Sequence, residues 1–92
     1  MAGMDTRALI DAIASVSPWL TEEDRITVRT YHAPSMLSRV DYLERTAAEL
    51  LGGDPLTLTA ACSAAEFSRR AATMRALAVP CDGLPLRSVG LP

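Results

Sequence analysis

Met36-Leu37-Ser38-Arg39-Val40-Asp41-Tyr42-Leu43-Glu44-Arg45-Thr46-Ala47-Ala48-Glu49-Leu50 is the stretch on which the fold turns. Met36, Val40, Leu43, Ala47 and Leu50 recur at 4-3-4-3 spacing. That period winds the apolar side chains onto one face of a helix, the pattern of a seam that packs on a second helix. A matching seam follows downstream, where Ala64, Phe67, Ala71, Met74 and Ala78 recur at 3-4-3-4 spacing. Its alanines let two helix axes approach closely. Between the seams, Gly52-Gly53-Asp54-Pro55 stops the first helix, because glycine and proline disfavour its continuation. Two seams joined by a short connection predict an antiparallel helical hairpin.

Working outward, Leu56-Thr57-Leu58-Thr59 alternates apolar and β-branched polar residues, so a tiny β-element is expected at 56–59. Ser63-Ala64-Ala65-Glu66 has the form of a capping box and predicts the start of the second long helix. Upstream, Thr21-Glu22-Glu23-Asp24 is a helix start: a hydroxyl to receive a free N–H, and three acids against the positive end of the helix dipole. A helix from there to Leu51 would carry a kink or a short break near Ala33, since Pro34 removes a hydrogen bond to Thr30. Asp5 is placed to cap a short first helix running to about Val16, with Leu9, Ile10, Ile13 and Val16 as its apolar stripe. Ser17-Pro18 ends it, and Trp19 and Leu20 are expected to fold onto the core. The expected architecture is all-α: a single helical domain over 1–79 and an extended tail over 80–92. That tail carries Pro80, Gly83, Pro85, Gly90 and Pro92, and its Leu84, Leu86, Val89 and Leu91 are apolar enough to dock.

A chain of 92 residues buries only about 60–65% of its unfolded surface, so its core is thin when it stands alone. Disulfides are not the expected supplement, because Cys62 and Cys81 are the only cysteines and no secretion signal is recognisable. Nor do these cysteines and a distant His32 make a zinc site. No run reaches the roughly 18 apolar residues of a membrane span. The expected compartment is cytoplasmic, and oligomerisation is the supplement left. The residues expected at an oligomer interface are Met36, Val40, Leu43, Leu50, Phe67 and Met74.

Net charge is −2, and all nine cations are arginines. A uniformly basic nucleic-acid surface is therefore not expected, but a local patch is open. Arg69, Arg70 and Arg75 fall away from Phe67, Ala71 and Met74, with few acids nearby in sequence. They are the candidate DNA-binding residues, by contact with phosphate. Catalysis is not expected. His32 has no nucleophile or second ligand at a useful spacing, no serine sits in a strained elbow, and Gly52-Gly53 lacks the rest of a phosphate loop. No catalytic, metal or cofactor residue is assigned.

Pro18-Trp19-Leu20-Thr21-Glu22-Glu23-Asp24, opening a long helix, and Pro55-Leu56-Thr57-Leu58-Thr59, between two long helices, resemble features of the small terminase subunits of tailed phages and prophages. The resemblance covers about residues 18–80. It implies a ring-forming helical hairpin that recognises viral double-stranded DNA and regulates the large terminase subunit, with host cytoplasm as the compartment. Two competing classes remain open. One is a helical adaptor or regulator (antitoxin-like, or a phage connector) binding one protein partner, and the other is a small helical enzyme.

Overall fold

The computed structural model describes residues 5–82. Over them the chain is all-α, in four helices: α1 Thr6–Ser15, α2 Glu22–Val28, α3 Ala33–Leu51 and α4 Leu58–Cys81. The expected hairpin is α3 packed along α4, which is the most extensive helix pair in the molecule. At 19 and 24 residues, these helices run about 28 and 36 Å. The molecule is correspondingly elongated, 54 × 25 × 19 Å.

Of the kink or short break expected near Ala33, the chain takes the break: α2 ends at Val28, Tyr31 turns the chain with a φ of 52°, and α3 begins at Ala33. Left-handed backbone at a non-glycine residue is unfavourable by about 1–2 kcal/mol. The strain is offset by what the turn does with the tyrosine: its ring is buried, and its hydroxyl donates to the Asp11 carboxylate at 2.7–2.8 Å. Pro34 then stands in the first turn of α3, where its missing N–H has no helical partner to lose. It starts a helix and does not kink one.

The β-element at 56–59 is absent from the described residues. Thr57 is the N-cap of α4, its hydroxyl accepting the Ala60 N–H at 3.1 Å. A four-residue strand needs a partner to pair with, whereas a cap needs only the next turn. Consequently Ser63 lies inside α4 and does not cap it. At the other end α4 runs through Pro80 to Cys81. Proline's fixed φ is compatible with helix and it loses only one hydrogen bond there, while Cys81 is drawn into the core at 3% exposure. The rest of the expected tail, 83–92, lies outside the described residues.

A further difference is in α1. Ile10 and Ala14 face the core, while Leu9, Ile13 and Val16 are exposed. Asp5 occupies the N-cap position of this helix without a side-chain cap bond. Trp19 and Leu20 do fold onto the core as expected.

α1 and α2 form a small head on one half of the hairpin. Ile10, Leu20 and Val28 from the head meet Met36, Val40, Leu43, Met74 and Leu77 of the hairpin in one cluster. The other half of the hairpin, toward Leu51 and Leu58, buries only Ala47 and Ala64.

The expected interface residues need correction here. Met36, Leu43 and Met74 are 0% exposed and Val40 is 1% exposed within the single chain. A side chain with no surface left has none to give a neighbour, so these four are the chain's own core. Only Leu50 and Phe67 of that set keep part of their surface.

Candidate functional site

Thr21-Glu22-Glu23-Asp24 reads locally as a cap, and a capping box forms. The Asp24 N–H donates to Thr21 Oγ1 and the Thr21 N–H donates to Asp24 Oδ2, both at 3.1 Å. The box aims the Asp24 carboxylate inward, toward the hairpin. There Arg39 of α3 donates through Nε to Oδ1 at 2.7 Å. Arg70 of α4 donates through Nε to Oδ2 at 2.7 Å and through Nη2 to Oδ1 at 3.1 Å. The Arg70 guanidinium also lies 4.8 Å from the centre of the Phe67 ring.

Asp24 is fully buried. Burial by itself would raise its pKa. The hydrogen bonds from Arg70, Arg39 and the Thr21 N–H, with the Arg70 charge, outweigh it and bring the carboxyl down to about 2. A carboxylate this firmly ionised and fully donated to is no general base at neutral pH. It ties three helices together.

This geometry corrects the expected arginine patch. Arg70 does not point into solvent, since its side chain is 12% exposed and spent on Asp24. Arg75 pairs with Glu44 of α3 at 2.7 Å. Both acids are distant in sequence, so a reading of near neighbours missed them. Arg69 remains exposed. It lies over the Trp19 ring, 3.9 Å from its centre, and the indole N–H beneath donates to Thr73 at 2.8 Å. Among the described residues Arg69 has no carboxylate within ion-pair distance. The three arginines therefore do not form one free cationic surface.

His32 lies at the N-cap of α3 with its Nδ1 2.7 Å from Ser35 Oγ. No group of three or more His, Cys, Asp or Glu among the described residues is placed to hold a metal ion. No helix there is long and apolar enough to cross a membrane.

What the sequence reading missed is on the outside of α4. Leu58, Cys62, Ala65, Arg69, Ala72, Ala76 and Val79 follow 4-3-4-3-4-3 spacing, and every one is exposed. They form a second seam on the side of the helix nearly opposite the buried Ala64, Ala71, Met74 and Ala78. Ala72 and Ala76 are its ridge. A groove runs on one side toward Leu9, Ile13 and Trp19 of the head. Another runs on the other side toward Glu44 and Val79. The signal was in the sequence as a helix apolar on two faces, which the search for one face passes over.

No protein-family model, curated protein or solved structure matches the chain.

Proposed function

We propose that this chain is a non-enzymatic assembly protein that works by packing its helical hairpin against other protein chains. Its specific form, on this proposal, is that of a terminase small subunit of a tailed phage or prophage. The observation that supports the assembly role is the outer seam of α4, which keeps coiled-coil spacing and mainly small or apolar side chains on a face nothing in the chain's described residues covers. The terminase form rests on the resemblance over about 18–80, and carries with it an oligomer that recognises viral DNA and regulates a large packaging subunit.

Any direct DNA contact on this reading falls chiefly to Arg69, because Arg70 and Arg75 are already paired. One phosphate contact per chain gives a shallow dependence of binding on salt. Only multiplication of copies in an oligomer would make it strong. Light scattering at micromolar concentration tests the assembly role, with more than one chain per particle expected. A clean monomer overturns it. A gel shift comparing wild type with Arg69→Ala at low salt tests the DNA arm, and equal binding by the two removes Arg69 from it.

A further inference from the structure

The outer seam raises the question of what covers it, and we propose that it is the same seam of a second copy, laid antiparallel across a two-fold axis at Arg69. This inference rests on the reading of the chain as an assembly protein and names the partner; because the pairing occupies Arg69, that residue is then an interface residue and no longer a DNA contact. With Arg69 at the axis, Leu58 of each copy meets Val79 of the other, Cys62 meets Ala76, and Ala65 meets Ala72. The largest exposed groups, Leu58 at 81% and Val79 at 70%, then cover each other at both ends. Small side chains occupy the middle, where two helix axes must come within about 8–10 Å. Antiparallel alignment also sets the two helix dipoles in opposition, which is the favourable arrangement.

Charge agrees with this occupant. Glu66 has no cation within ion-pair distance and Arg69 no carboxylate, among the described residues. In this register the two Arg69 side chains approach each other at the axis, and Glu66 of each copy lies one helical turn from Arg69 of the other, so two reciprocal pairs form across the axis and offset the repulsion between the arginines. The remaining charges beside the seam, Glu44 and Arg75, already neutralise each other.

Cys62 reports on the arrangement without any mutation. It lies exposed on the seam, whereas Cys81 is buried and its burial pushes the thiol pKa up. A maleimide added to the full native chain therefore reads Cys62 first. As protein concentration is raised from nanomolar upward, Cys62 labelling should slow about fivefold once the total chain concentration is about ten times the dimer Kd, because about one fifth of the chains are then still monomeric. Light scattering should show two chains per particle over the same range. Ala72→Glu places a carboxylate opposite Ala65 of the other copy. It should give a monomer of unchanged helicity by circular dichroism, with Cys62 labelled fast at every concentration. Ala65→Glu is the second variant, with the same expectation, should the first lose helicity.

A multimer whose Cys62 reacts at an unchanging rate overturns this surface while leaving the assembly reading intact. A monomer with fast Cys62 overturns both. A monomer with Cys62 slow at all concentrations also overturns the proposal, because another part of the same chain then covers the seam.

Discussion

Asp24 shows how one residue serves two levels of structure. Its backbone and one carboxylate oxygen close the capping box of α2, while both oxygens receive the guanidinium groups of Arg39 and Arg70. Removing one partner of such a buried set leaves uncompensated charge inside, with a cost of about 3–5 kcal/mol. Asp24→Ala is therefore expected to destabilise the chain by that amount in urea melts, leaving two arginines buried without their acceptor. A loss under about 1 kcal/mol would mean that the two arginines relax into solvent freely.

The pH dependence follows with a definite sign. The folded carboxyl sits at about 2, below its unfolded value of about 3.9. Its contribution is complete above pH 4 and is lost as pH falls through the folded value. The difference corresponds to about 2–3 kcal/mol. Acid titration of wild type should show this loss between about pH 4 and 2, and Asp24→Ala should be flatter across the same window.

At the scale of elements, the helix ends carry the differences between expectation and structure. Thr57 caps α4 through the Ala60 N–H, and Thr57→Ala should lose about 1 kcal/mol of that cap. Since the adjoining half of the hairpin is sparsely packed, the loss should appear mainly as faster amide exchange over 58–64, with a smaller change in the global midpoint. An equal loss in both would show that the tip unfolds only with the core.

Phe67 also changes standing once seen in place. Its ring packs against the core while partly exposed, beneath the Arg70 guanidinium. Phe67→Ala should thus cost less than the roughly 3–5 kcal/mol of a fully buried phenylalanine. A thermal melt compared with Met74→Ala, at a 0% exposed position, should rank Met74→Ala as the more damaging. The reverse order would mean that the stacked guanidinium depends on the ring more than the core does.

The whole molecule is uneven along its length. The head of α1 and α2 thickens one half of the hairpin, and the cluster from Ile10 to Cys81 lies there. The other half buries Ala47 and Ala64 while leaving Leu51, Leu56 and Leu58 exposed. Alanine contacts remove far less apolar area from water than Met36 or Leu43 do. Hydrogen exchange should accordingly be graded, with protection over 36–43 and 67–78 near the global value and lower protection over 47–51 and 58–64. Uniform protection along α3 and α4 would show that the distal half is held by something further, such as a second chain.

The sequence by itself determined the all-α class, the hairpin and the inner seams. Each of these depends on a period repeated within one helix, and periodicity is local information. Thr21 and Asp24 as a helix start were legible for the same reason, and so was the docking of Trp19 and Leu20. Only the tertiary structure decided that Asp24 is a buried acceptor for Arg39 and Arg70, residues 15 and 46 positions away, because no local pattern announces an ion pair closed by packing. It also decided that Pro34 begins a helix, once Tyr31 could bury its ring and reach Asp11. The fate of the seams was a tertiary matter as well. Spacing marks a face as apolar, but whether that face meets its own chain or another depends on which helices the fold brings against it. Met36, Val40, Leu43 and Met74 were claimed by the chain's own core, and the outer face of α4 was left over because α1 settles beside its ridge and not on it.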